Sequence, residues 1–172
     1  MDIAPLHQDR HQDLRDFLER CWIETYTDEI GADLAKALVE HTIKDDVGFL
    51  LPGDGEEAFA CYDENRIVAS IIRKVVSNHI YVWGFYVAPE LQRHGLGTRF
   101  LCHVIDGINP DFPVEVSVLK ASKGAMAFYK KLGFREIADE PYQLFENKTL
   151  PAMIMQAPVS TIFQNCRSSD DK

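Results

Sequence analysis

At 172 residues the chain is long enough for one well-buried domain and short for two. Its 46% hydrophobic and 26% charged residues match an ordinary globular protein, no apolar run reaches membrane-spanning length, and Met1-Asp2-Ile3-Ala4-Pro5 lacks the basic start and apolar core of a signal peptide. The net charge of −9 argues against nucleic acid, whose phosphates need a basic face, so the expectation is a cytoplasmic protein with no membrane and no nucleic-acid partner.

The charge is unevenly spread. Residues 1–60 hold fifteen Asp/Glu against five Lys/Arg, while residues 91–135 hold three against seven. This is either scatter over solvated faces or one face for a polyanion and another for a cation. Cys21, Cys61, Cys102 and Cys166 are too far apart in sequence for a metal knuckle or a redox pair and read as small core residues. No metal site is expected.

Ile3 to Leu6 suggests a short strand. From Gln8 to about Thr25, Leu14, Phe17, Leu18, Cys21 and Trp22 line one side of a helix. A second helix is expected from Gly31 to Ile43. Between them, Trp22-Ile23-Glu24-Thr25-Tyr26-Thr27-Asp28-Glu29 has two readings: a solvated inter-helix turn with Trp22 in the core, or one wall of a pocket for a positively charged amine. Ala58–Tyr62 and Ile67–Val76 read as a hairpin, and Ser77-Asn78 turns the chain into the strand Ile80–Val87. That strand is rich in β-branched and aromatic residues, as if buried on both faces.

Ala88-Pro89-Glu90 stops it, and Gln92-Arg93-His94-Gly95-Leu96-Gly97 follows as a polar turn. A helix then carries Leu96, Phe100, Leu101, Val104 and Ile105 on one face. A strand, a glycine turn and a helix N-terminus in succession make an anion cradle, because free backbone N–H groups and the positive end of the helix dipole point at one spot. Val114–Leu119 follows a crossover helix, so it should run parallel to the central strand. Ser122 can cap a helix bearing Ala125, Phe128, Tyr129 and Leu132, and Gly133 fits a left-handed stop. Phe134–Ala138 and Ala152–Ala157 suggest a last strand pair around a loop with Pro141, Tyr142 and Phe145. Residues 1–158 are expected to form a single domain and residues 159–172 a loosely ordered tail.

With Gln92-Arg93-His94-Gly95-Leu96-Gly97 and Ala125-Met126-Ala127-Phe128-Tyr129-Lys130-Lys131-Leu132-Gly133-Phe134, the chain resembles the GCN5-related N-acetyltransferases, the GNAT superfamily. The first stretch fits the family's Q/R-x-x-G-x-G/A signature after a strand and a Val-x-Pro; the second fits its A-x-x-F-Y-x-K-x-G-F helix. The resemblance covers residues 60–140 closely and the rest by element order. It implies an α/β (mixed α+β) fold: a mostly antiparallel sheet of about six or seven strands, flanked by about four helices and splayed at a central parallel pair.

The resemblance further implies acetyl-CoA (coenzyme A) as cofactor. Backbone groups of Phe85, Tyr86 and Val87 would pair with its pantetheine arm, and the amides of Gln92, Arg93, His94, Gly95, Leu96, Gly97 and Thr98 would hold the pyrophosphate. Ser122, Phe128 and Tyr129 would complete the cofactor site, with Ser122 standing where many relatives carry Asn. Arg93, His94 and the lysines from Lys120 onward would face the nucleotide phosphates. Gly84 inside the strand fits either a bulge that opens the splay or plain close packing. The implied reaction is direct attack of a primary amine on the thioester, with Tyr129 as general acid and the Val87 backbone N–H as oxyanion donor.

Where some relatives place a carboxylate base, this chain has Tyr81, with His79 two residues earlier on the same face. A base acting through water, or no base, fits equally well. Trp22, Tyr26, Glu29 and Tyr142 are the candidate acceptor-binding residues, for a small amine, cationic amines included, or a peptide N-terminus. A non-catalytic acyl-CoA-binding module and a protein-lysine acetyltransferase are the alternatives, and relatives that pair through C-terminal strands suggest a homodimer.

Overall fold

The structure, a computed structural model, describes residues 1–44, 51–145 and 148–170. The main sheet runs β1 (Asp2–Pro5), β2 (Glu56–Asp63), β3 (Arg66–Val76), β4 (His79–Val87), β5 (Pro113–Leu119), β9 (Ala152–Pro158) and β6 (Arg135–Asp139) in that order, and β7 (Tyr142–Phe145) and β8 (Lys148–Leu150) form a separate hairpin. Antiparallel pairs dominate, and β4 and β5 form the parallel pair expected of a crossover connection. The chain divides into two compact units, residues 1–74 with 83–104, and residues 75–82 with 105–172.

In the first unit β1 (Asp2–Pro5) pairs with β2 (Glu56–Asp63), which pairs with β3 (Arg66–Val76). Helix α1 (His11–Ile30) buries Leu14, Phe17, Leu18, Cys21 and Trp22, an i, i+3, i+4, i+7, i+8 stripe. Each such side chain contributes about 1.5–3 kcal/mol when taken from water. The helix does not stop near Thr25. No glycine or proline interrupts it before Gly31, whose φ of 90° ends it, so Trp22–Glu29 is helix rather than the expected turn. Helix α2 (Ala32–Lys44) follows at once, and helix α3 (Leu96–Val104) buries Leu96, Phe100, Leu101 and Val104.

Strand β4 (His79–Val87) contributes its opening to the second unit and its close to the first. Ile80 and Val82 are buried, but Tyr81 between them is 38% exposed and residues 83–87 are half-buried. The aromatic content of β4 therefore reflects strand propensity, not burial on both faces.

In the second unit, β5 (Pro113–Leu119) and β9 (Ala152–Pro158) turn Val114, Val116, Val118, Met153, Met155 and Ala157 into the core. Strand β6 (Arg135–Asp139) pairs only with β9 among the described strands, and every residue in it is exposed. The expected loop around Tyr142 is a hairpin of β7 (Tyr142–Phe145) and β8 (Lys148–Leu150). Helix α4 (Lys123–Lys131) has Ser122 at its N-cap position, but the Ser122 side chain makes no cap hydrogen bond. The expected loose tail is helix α5 (Val159–Asp170). It buries Val159, Ile162 and Cys166 on an i, i+3, i+7 stripe, and Cys166, like Cys102, is disulfide-bonded rather than the free core residue expected. Among the described residues no helix is long and apolar enough to cross a membrane.

Candidate active site

The close of β4 is held from two sides. Alternation along the strand sends successive side chains to opposite faces. Phe85 meets Phe100 of α3 edge-on at 5.9 Å, whereas Tyr86 meets α1: its ring lies 5.6 Å from Trp22 and its hydroxyl 3.1 Å from the Tyr26 hydroxyl. The Val87 carbonyl accepts from Gln92 Nε2 at 3.0 Å and from Cys21 Sγ at 3.5 Å, and Ala88 N–H donates to Val68. The last peptides of the strand are thus fixed by groups on α1, β3 and the following turn. Gly84 has φ 57°, a left-handed conformation within the strand, and its carbonyl accepts from Ser70.

After a 3₁₀ turn at Pro89–Leu91, residues Gln92 to Gly95 are exposed, with Arg93 (φ 62°) and Gly95 (φ 81°) both left-handed. The backbone folds back on itself here, and Arg99 N–H makes a helical bond to Gly95 C=O. The amides of Leu96, Gly97 and Thr98 precede that bond, at the end of a helix where N–H groups have no intrahelical acceptor. A Cβ on Gly95 would meet nothing within 4 Å, so the cradle is open where an anion would approach. The donors, the dipole and the open space fit a pyrophosphate.

The second unit carries Tyr129. It is 7% exposed on α4, between the rings of Phe128 (5.2 Å) and Phe134 (5.1 Å). Gly133 N–H bonds to Lys130 C=O and Phe134 N–H to Tyr129 C=O, a Schellman stop that grips the Tyr129 peptide itself. Two lysines expected to face phosphates have other partners: Lys120 pairs with Asp139 at 2.6 Å and Lys130 with Glu136 at 2.7 Å.

His79 and Tyr81 do share a face, and their rings stack at 4.5 Å. Opposite Tyr81 in register is Glu115, and beyond it Gln156. Glu115 Oε2 lies 3.2 Å from His79 Nε2, though not aligned as a hydrogen bond, and it accepts from Gln156 Nε2. Glu115 could not be found in the sequence without the β4–β5 register. Of the acceptor candidates, Trp22 and Tyr26 come together with Tyr86, Glu29 lies half-buried further along α1, and Tyr142 stands in β7 of the second unit, its phenol pushed up by burial. The Tyr86 side chain and Cys21 were missed. Continuing the i, i+4 spacing from Trp22 to Tyr26 would have flagged the helix face but not its partner on β4.

A family model described as an acetyltransferase (GNAT) domain matches residues 24–156. The chain belongs to that family. It is similar to the [ribosomal protein bS18]-alanine N-acetyltransferase of Salmonella typhimurium, 32% identical over 101 residues that cover 56% of this chain and 68% of the relative. The Escherichia coli K12 protein of the same name is 29% identical over 106 residues, 59% of this chain and 71% of that one. Among solved structures, the Escherichia coli ribosomal-protein-S18-alanine N-acetyltransferase superposes with a TM-score of 0.66 at 22% identity, covering 92% of this chain and 94% of that one. The paia N-acetyltransferase of Thermoplasma acidophilum, in complex with coenzyme A, gives 0.69 at 16%, covering 92% and 99%. These two show the shared fold. The GNAT protein described here is an N-acetyltransferase, with the mixed, mostly antiparallel sheet the motifs imply.

Proposed function

We propose that this N-acetyltransferase uses acetyl-CoA to acetylate the α-amino group of a polypeptide N-terminus. The observation that carries the acceptor is the composition of β4 from Trp83 to Val87, which offers no carboxylate, imidazole or amine to serve as a strong base. The attacking amine must be neutral. At pH 7.5 an α-amine with pKa about 7.8 is roughly one-third neutral, whereas a lysine at about 10.4 is neutral in roughly one molecule in a thousand. Where the strand itself offers no strong base, α-amines are therefore favoured by a few hundredfold. The names of the curated relatives, ribosomal-protein alanine N-acetyltransferases, support the same reading.

Acetyl-CoA supplies the thioester carbonyl that the amine attacks. In the first unit, the amides from Gln92 to Thr98 hold its pyrophosphate, the backbone of Phe85–Val87 holds its arm, and the Val87 N–H stabilises the developing oxyanion. In the second unit, Tyr129 gives the departing thiolate its proton, and Ser122 and Phe128 lie on the same helix or at its cap. His79 and Tyr81 open β4 while Val87 closes it, and His79 is engaged with Glu115, so no base role is assigned to them.

The test is a panel with acetyl-CoA: free peptides beginning with Ala or Ser, the same peptides blocked at the N-terminus but carrying lysine, and polyamines. Expected is a kcat/KM at least about 100-fold higher for the free peptide than for its blocked form at pH 7.5. A preference for the blocked, lysine-bearing peptide would convert the reading to protein-lysine acetylation. A second reading, a small cationic amine, is favoured by a shallow, open patch on α1 where Asp16, Glu19 and Glu24 lie beside Arg20 and Ile23. Polyamine turnover exceeding that of every peptide would establish it.

The cradle carries its own prediction. Gly95→Ala meets no atom, so its stability cost is the left-handed backbone alone, about 1–2 kcal/mol. Its Cβ would stand where the pyrophosphate approaches. Calorimetry should show acetyl-CoA binding weakened by about tenfold or more with the fold intact, and unchanged affinity would remove Gly95 from the site.

A further inference from the structure

We propose that the Tyr86–Tyr26 hydroxyl pair takes the proton that the acceptor amine must lose, and passes it outward along α1. The inference rests on the N-acetylation reading above. As the amine's lone pair forms the C–N bond, the nitrogen becomes positively charged and still holds one proton too many. The C–S bond then breaks, the thiolate takes the Tyr129 proton, and the nitrogen must shed its own before the amide is complete.

On the α1 side of the strand that carries the oxyanion donor, the helix side chains hydrogen-bonded to the strand itself are Cys21, at the Val87 carbonyl, and Tyr26, at the Tyr86 hydroxyl. The Cys21 thiol is excluded as an acceptor. Burial, and after it the Glu24 carboxylate, push it up to about 12, so it stays protonated at working pH and instead donates to the Val87 carbonyl. The tyrosines remain. Tyr86 precedes Val87 directly and points to the face of β4 covered by α1, and its oxygen lies 3.1 Å from that of Tyr26.

A phenol oxygen both accepts and donates. Tyr86 can accept the amine proton on one lone pair while releasing its own proton to Tyr26, which releases one to water, leaving both residues as they began. Neither phenol needs to ionise beforehand, because each gives up a proton as it gains one. Tyr26 is half-buried, with exposed Ile23, Glu24 and Thr27 around it on the helix, and the outward end of the pair therefore meets solvent. Behind the pair, Trp22 is 2% exposed and its indole N–H has no hydrogen-bond partner among the described residues. A buried donor left open is costly, and such a cost marks a site shaped for something other than packing.

The experiment compares Tyr86→Phe, Tyr26→Phe and the double variant on the best amine from the panel. Each keeps its ring, so thermal melting and calorimetric acetyl-CoA affinity should stay near those of the native protein. Tyr86→Phe should lower kcat by about 30- to 100-fold with KM for the amine changed by less than about threefold, and Tyr26→Phe should lower it about 5- to 10-fold. The double variant should match Tyr86→Phe within about twofold, because residues acting in series are not additive. Slowing in heavy water should be larger for the native protein than for Tyr86→Phe. A Tyr86→Phe kcat within threefold of native, or effects that multiply in the double variant, would overturn the relay. If the native protein accepts only amines other than N-terminal peptides, the acceptor reading fails while this comparison runs unchanged on the amine it does accept.

Discussion

Tyr129→Phe should lower kcat by about a hundred- to a thousandfold while leaving acetyl-CoA affinity and the melting temperature near those of the native protein. The ring is held edge-on by Phe128 and Phe134 and is almost fully buried, so phenylalanine fills the same space. Only the hydroxyl is removed. The thiolate leaving acetyl-CoA has the basicity of an ordinary thiol, with pKa about 8.5, and a phenol at about 10 is neutral at pH 7 and able to donate. Protonation on departure spares the cost of expelling an unprotonated thiolate. Steady-state kinetics on the preferred amine, paired with calorimetry, separates the two effects. A kcat within threefold of native with folding intact would take the acid role away from Tyr129.

The strand-turn-helix of the candidate site was legible because its signals are local. Gln92 to Gly97 announces a strand-to-helix turn within six residues, and two of its residues do adopt the left-handed conformation that such a turn requires. Gly133 was legible for the same reason, since a helix stop is written at one position. What escaped was whatever depends on partners far away in the chain. Tyr26 and Tyr86 are 60 residues apart, and nothing near either names the other. Glu115 faces His79 only through the parallel register of β5.

Two misreadings were local, however. The acids and aromatics after Trp22 looked like a turn, yet no residue there breaks a helix before Gly31. The polar stretch after Pro158 hid the stripe of Val159, Ile162 and Cys166, because Gln164, Asn165 and the following serines dilute average hydrophobicity without breaking its period. Ser122 shows the opposite error, a good capping residue in the capping position whose side chain makes no cap bond.

Gly133→Ala should be the most destabilising single-atom-scale change in the second unit, because it meets two penalties at once. The residue has φ 91°, which costs about 1–2 kcal/mol once a Cβ is present. That Cβ would also lie 2.5 Å from Thr161 Cγ2 and 2.8 Å from Asn165 Nδ2 on α5. Asn165 Nδ2 donates to the Thr161 carbonyl, so moving it aside breaks a hydrogen bond. Overpacking of this kind costs about 1–3 kcal/mol, giving a total near 3 kcal/mol and a fall in melting temperature of roughly 10 °C. Thr161→Ser removes the nearer clashing methyl. Added to Gly133→Ala, it should recover about 1 kcal/mol or more but not the backbone term, so the double variant stays below native. Gly133→Ala melting within 2 °C of native, or a double variant no better than the single, would show that α5 yields without cost. The same substitution bears on chemistry, because Gly133 sets the turn through which Phe134 N–H reaches the Tyr129 carbonyl. At a temperature where the variant is folded its kcat should therefore fall, but less than in Tyr129→Phe: the hydroxyl is still present, and only the peptide that aims it has been loosened.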